Sequence, residues 1–218
     1  MTPDEPLIRW DWVFSHLGDI WQRLVEHLTL AGLAVAIGLV ISFALSLAIR
    51  RYPRLYDPVT WVTGVLYTIP SLALFALLVP FTRLTIWTAE IGLVSYTLLI
   101  LIRNIMAGFQ SVPPDVREAA VGMGYAPNQL LWRVDLPLAL SVIIAGIRVA
   151  AVTTIGLTTV TALIGQGGLG FFILEGIQRF FTTPLIVGAV LSVVVAVLVD
   201  AALVGVQRWA TPWTRARS

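Results

Sequence analysis

The chain of 218 residues contains no cysteine, no lysine and only two histidines. Without cysteine it has no disulfide, thiolate metal site or thiol nucleophile, and His16 and His27 lack partners at zinc-ligand spacing. Without lysine it has no G-x-x-x-x-G-K-[ST] phosphate loop, which excludes a nucleotide-hydrolysing subunit of that kind. Charge is also scarce: 12% of the residues are charged, against about 25% in an ordinary soluble domain. The net charge of +2, carried by arginine alone on the basic side, is too small for nucleic-acid binding as a bulk effect. The stretch from Met1 to Trp12 is acidic ahead of the first apolar run and does not read as a cleaved signal peptide.

What is abundant is apolar sequence, 58% of the chain, gathered in long runs. A surface so poor in charge needs lipid as its solvent. Since about 20 apolar residues cross the hydrocarbon core, five spans are expected. They are Leu28 to Ile49, Val59 to Val79, Leu84 to Ile102, Leu138 to Ile164 and Leu185 to Val206. The fold expected is an all-α polytopic membrane protein with five transmembrane helices, in one domain covering residues 1–218.

Arginine sets the orientation, because arginine-rich short loops stay in the cytoplasm. With the N-terminus outside and the C-terminus cytoplasmic, Arg50, Arg51, Arg54, Arg103, Arg117, Arg133, Arg208, Arg215 and Arg217 fall inside. Only Arg9, Arg23, Arg83 and Arg179 fall outside. Trp10, Trp12, Trp21 and Trp87 then serve as outer interfacial anchors, and Trp61, Trp209 and Trp213 as inner ones.

Two connections exceed the usual 2–8 residues or so between bundled helices: Arg103 to Pro137 inside and Gly165 to Pro184 outside. In the inner one, Pro113 and Pro114 suit a helix entry, Asp115 with Glu118 has capping-box spacing, and Gly122 with Gly124 marks a stop. A second short helix is expected from Pro127, ending before Pro137. Val116, Ala119, Ala120 and Met123 share one face of the first helix. That face fits either the bilayer surface or a groove in another protein.

Glu118-Ala119-Ala120, Gly124, Val134, Leu136 and Pro137 stand at the offsets of the E-A-A, three residues, G, nine residues, I, one residue, L-P pattern, with Val134 for Ile. In this the chain resembles the permease subunits of ATP-binding cassette (ABC) importers, of the type I architecture also found in the methionine importer. The resemblance implies that the loop 111–137 couples to a cytoplasmic ATPase through those seven residues. It also implies a second permease chain, identical or paralogous, an extracytoplasmic substrate-binding protein, a plasma (inner) membrane location and no catalysis. No cofactor is expected in this chain, ATP and magnesium belonging to the partner ATPase.

The stretches from Thr68 to Pro80 and from Leu136 to Arg148 are similar to osmoprotectant permeases. These import glycine betaine, choline, carnitine or proline betaine, which makes a small-molecule osmolyte the expected cargo. Ser141 and Gln166 depart from the family pattern. Permeases for methionine or other amino acids are the near alternative, and an ion-coupled transporter or a scaffold or channel the distant ones.

Three further groups are singled out. Pro70 breaks a span beside Thr68 and Ser71, as a pathway element or a plain kink. Gly165, Gly167, Gly168 and Gly170 form either an outer gate or a helix stop. Arg148 and Asp200 lie within spans and are expected to pair inside the bundle. Glu26, His27, Arg83 and Glu90 are assigned to interfacial water. Tyr67, Phe75, Phe81, Tyr96, Phe171 and Phe172 show no spacing that assembles an aromatic cage for a quaternary ammonium.

Overall fold

The computed structural model describes residues 6–213, so Arg215 and Arg217 of the arginine count lie outside the described residues. The described residues are helical throughout, without a strand. Four helices are long and apolar enough to cross a membrane, and a fifth span exists if one sharply bent pair is counted as one.

A short helix α1 (Trp10–Ser15) leads into α2 (Leu17–Arg51), which at 35 residues is about 52 Å long and starts well before the expected Leu28. The second expected span is two helices, α3 (Tyr56–Thr68) and α4 (Ser71–Thr82), set at 99° to each other across Ile69 and Pro70. Next comes α5 (Ile86–Gln110), which runs eight residues past the predicted end at Ile102.

The connection after α5 is therefore much shorter than Arg103 to Pro137. It holds α6 (Pro114–Gly122) and then α7 (Pro127–Leu130), a π-helical turn (Leu131–Asp135) and α8 (Leu136–Thr158) in unbroken succession. The predicted second loop helix is thus the foot of a span. Pro137 does not end it: it is the second residue of α8 and follows directly on the π turn.

A 3-10 turn (Val160–Ile164) and the glycine segment 165–170 lead into α9 (Gly170–Arg179), and α10 (Thr182–Ala210) closes the chain.

Helix α5 is the central post, buried against α2, α4 and α8 by Leu93, Leu101, Ile105 and Phe109. Small residues allow the close approach that lipid-solvated helices rely on. A Cβ on Gly108 of α5 would stand 3.0 Å from the carbonyl oxygen of Ala139 on α8, and one on Gly38 of α2 would collide with Thr97. At one end of the bundle lie the C-terminal ends of α2, α5 and α10 with α6 and the foot of α8. At the other lie the N-terminal ends of α2 and α10 with the glycine segment and α9. Gln207 joins α10 to the carbonyl of Ser141 at the first end, 3.0 Å, and Arg9 joins the chain start to Thr183 at the second, 2.9 Å.

Trp10, Trp21, Trp61, Trp87, Trp209 and Trp213 are exposed as anchors should be. Trp12 is half-buried instead: it stacks on His16 and packs edge-on against Phe172 and Phe181.

Candidate functional site

The helix α6 begins at Pro114 because proline presets φ and needs no donor in the first turn. The predicted capping box does not form: Pro113 occupies the cap position and offers no side-chain acceptor, so Asp115 falls one step inside the helix. At the other end Gly124 has φ of +83°. Its N–H reaches Val121 at 2.9 Å and the N–H of Tyr125 reaches back to Ala120 at 3.1 Å. This is a Schellman termination, which a side chain at Gly124 would oppose. Only Ala120 of the predicted apolar face turns inward; Val116, Ala119 and Met123 stand exposed beside Glu118. Apart from Ala120, the face is left open among the described residues.

What fastens α6 is a residue that sequence reasoning passed over. Asp135, the last residue of the π turn, is completely buried. Its Oδ1 accepts from Nε of Arg117 at 2.6 Å and its Oδ2 pairs with Arg50 from the end of α2. Arg117 also donates to the carbonyl of Phe109 near the end of α5, 2.7 Å, and the Arg50 guanidinium lies 5.2 Å from the Phe109 ring centre. One joint thus ties α6 to the ends of α2 and α5 and the foot of α8. Val134, Leu136 and Pro137 flank it, half-buried. The available signal was Asp135 itself, a lone acid in the run Leu130-Leu-Trp-Arg-Val-Asp-Leu-Pro137.

The break at Ile69 and Pro70 is larger than a kink. Ile69 is extended, and its carbonyl, released from the helix, accepts the hydroxyl of Tyr96 on α5. Thr68 caps its own helix through Val65, 2.7 Å, while Ser71 opens α4. Tyr67 meets Tyr96 edge-on with ring centres 5.8 Å apart, and the six aromatics considered above do not gather into a cage.

At the opposite end, Gly165 closes the 3-10 turn at φ +75° in the same manner as Gly124. The segment then lies against α2: the N–H of Gly168 donates to Glu26, 3.2 Å, and that of Leu169 to Nδ1 of His27, 3.3 Å. His27 Nε2 lies 3.0 Å from the carbonyl of Ile155 on α8. Gly170 packs on the backbone of Thr159 with no room for a side chain. Gln166 reaches the Leu84 carbonyl between α4 and α5, 2.9 Å.

Of the four residues assigned to water, only Arg83 is exposed. His27 and Glu90 are buried, and Glu26 is half-buried in an ion pair with Arg23. Helix positions near a span end can face the core as readily as the solvent, and hydropathy does not distinguish the two. Neither carboxylate oxygen of Glu90 has a hydrogen-bond partner among the described residues.

Arg148 and Asp200 form a two-armed ion pair, 2.8 and 2.9 Å, with Gln207 as a further acceptor at 3.3 Å. They do not lie sealed inside the bundle. They line an open groove of about 700 Å³ between α8 and α10, walled by Val149, Val152, Val193 and Val197.

Residues 34–211 match the family described as binding-protein-dependent transport system inner membrane component. The osmoprotectant import permease protein OsmW of Salmonella typhimurium is 36% identical over 92% of this chain and 96% of its own length. The glycine betaine/carnitine/choline transport system permease protein OpuCD of Bacillus subtilis is 36% identical over 89% and 86%. Among solved structures, an inward-facing MetNI methionine ABC transporter matches with a TM-score of 0.81 at 21% identity, covering 90% of this chain and 98% of that one, a likeness of fold.

Proposed function

The chain belongs to the binding-protein-dependent transport system inner membrane components, and from that premise we propose that it is a permease subunit importing compatible solutes of the glycine betaine, choline, carnitine and proline betaine class. The substrate reading draws on relatives named for such solutes that run nearly the full length of the chain. As a member of this family it is an inner-membrane transport component. The proposal adds a partner ATPase that holds ATP and magnesium, a second permease chain, an extracytoplasmic binding protein that delivers the solute, and no cofactor in this chain. It also adds the orientation: N-terminus outside, with α6 in the cytoplasm.

The observation that carries the mechanism is the pairing of an exposed helix with a buried joint. Helix α6 offers Glu118, Ala119, Val116 and Met123 to a partner, and behind them Arg117 is held by Asp135. A push on α6 therefore reaches α2, α5 and α8 together, through Arg50, the Phe109 carbonyl and the foot of α8. Gly124 turns the chain sharply so that the arm stays short. The solute path runs past the bend at Thr68, Pro70 and Ser71, and the segment with Gly165, Gly167, Gly168 and Gly170 gates its outer end. Arg148 and Asp200 keep α8 and α10 moving as one body.

Radiolabelled glycine betaine uptake by the reconstituted complex tests this reading. Uptake that requires binding protein and ATPase, is lost with Glu118→Lys or Gly124→Val, and is competed by choline or carnitine supports it. Competition by methionine alone moves the substrate to amino acids. Uptake driven by an ion gradient without the ATPase overturns the reading.

A further inference from the structure

Two side chains of α2 receive the glycine segment, and their chemistry is fully determined by their partners. The carbonyl of Ile155 can only accept, so Nε2 of His27 carries a hydrogen; the N–H of Leu169 can only donate, so Nδ1 does not. The imidazole is neutral, in the Nε2–H form, and bridges α8 to residue 169. The Ile155 carbonyl is available because the N–H of Thr159 turns to Gly156 instead, 3.2 Å, as α8 tightens at its end. Beside it, Oε2 of Glu26 accepts from both Gly168 and Arg23, and Oε1 accepts from Gln22.

The glycines are small because they rest on these groups. A Cβ on Gly168, where φ is +88°, would stand 3.0 Å from Nδ1 of His27, and one on Gly167 would run into the carboxylate of Glu26. Since Gln166 holds the other edge to Leu84, the segment spans α2, α8 and the turn between α4 and α5. Relative movement of these parts cannot leave it seated.

We propose that His27, assisted by Glu26, is a positioning residue of the outer gate: the neutral imidazole holds the glycine segment seated in the closed state and gives up the Leu169 N–H when the gate opens. The inference rests on the permease reading and on the segment being its gate. The segment is held by one backbone N–H bond to His27 and one to Glu26, few enough to break and remake in each cycle.

The test uses the complete importer in proteoliposomes, with glycine betaine as solute, and reads solute moved per ATP hydrolysed. His27→Asn places an amide oxygen where Nδ1 stands, keeping the acceptor for Leu169 and abandoning Ile155. His27→Gln keeps a donor toward Ile155 and abandons Leu169. If the residue positions the gate, Gln and Ala lower the ratio about fivefold, the scale of one lost hydrogen bond, while Asn loses about twofold or less. A Gln variant equal to or better than Asn makes His27 a tie between helices and overturns the inference, as does a wild-type ratio in His27→Ala. The 15N resonances of the unmutated importer give a second reading that needs no variant: an unprotonated Nδ1 is expected, and a hydrogen on Nδ1 overturns the assignment. A wild-type complex without binding-protein-dependent uptake overturns the permease reading and this inference with it, whereas uptake with unaltered variants overturns this inference alone.

Discussion

The two ends of the bundle are fastened by opposite chemistry. At the α6 end a fully buried carboxylate grips two arginines from different elements. At the glycine end a neutral imidazole and one carboxylate receive backbone N–H groups. Ionic hydrogen bonds in a dry site are strong and directional, and expensive to leave half-made. The bond to the neutral imidazole gives up little when it opens, and Glu26 keeps its partner Arg23 when Gly168 leaves it. The first kind of joint suits an element that must transmit a push without slipping, and the second an element that must let go.

The largest test removes the centre of the ionic joint. Asp135→Ala strands Arg50 and Arg117, and as both are about a third exposed the cost should sit at the low end of the buried-pair range, about 3 kcal/mol. Thermal unfolding of the purified complex measures it, and a cost below about 1 kcal/mol would erase the contrast between the ends. A control for location is Arg148→Ala, which strands Asp200 in a more open groove. It should lower the unfolding temperature by less than Asp135→Ala does and weaken assembly, with partial recovery in the charge-exchanged Arg148→Asp, Asp200→Arg pair. If it costs as much as Asp135→Ala, neither burial of the carboxylate nor the triple contact sets the energy.

Arg117→Lys keeps the charge but not the fork that serves Asp135 and Phe109 together. Uptake should fall about tenfold, a loss near 1.4 kcal/mol, while the ATPase still co-purifies. Loss of co-purification would instead make Arg117 part of the docking face. The smallest effect comes from a device the two ends share. Gly124→Ala and Gly165→Ala each place a methyl at positive φ in the same kind of turn, so equal costs of about 1 kcal/mol are expected in unfolding measurements. Unequal costs would mean that the ends differ in backbone strain as well as in charge.

How far these features could be read from sequence depends on their range. The spans follow from hydropathy, and the loop motif from fixed offsets over twenty residues whose geometry is local: Gly124 ends α6 wherever α6 is placed. The joint is different. Asp135 meets Arg117 from 18 residues away and Arg50 from 85 away, and no periodicity links them. Pro70 announced an interruption, but the 99° bend has both Ile69 and Pro70 extended, and the freed Ile69 carbonyl meets Tyr96, 27 residues off. Burial of His27 and Glu90 was likewise invisible, because the alternation that reveals an inward face is lost where every neighbour is apolar. Pro137 misled for a further reason: a proline is compatible with a helix if the turn before it is wide.

That wide turn sets the angular phase of everything below it. A π turn carries one residue more than an α turn, so the side chains of α7 and the loop are rotated by about 100° from where a regular continuation of α8 would place them. The register of α8 against α5 is fixed by Gly108 and Gly146, and cannot adjust to compensate. The extra residue thus works like an offset tooth in a gear train: it swings the loop to the side of the bundle where Arg117 and Arg50 meet one carboxylate. In this stretch counting matters as much as composition, and deleting Trp132 alone would turn the whole arm away while leaving Arg50, Arg117 and Asp135 in the chain.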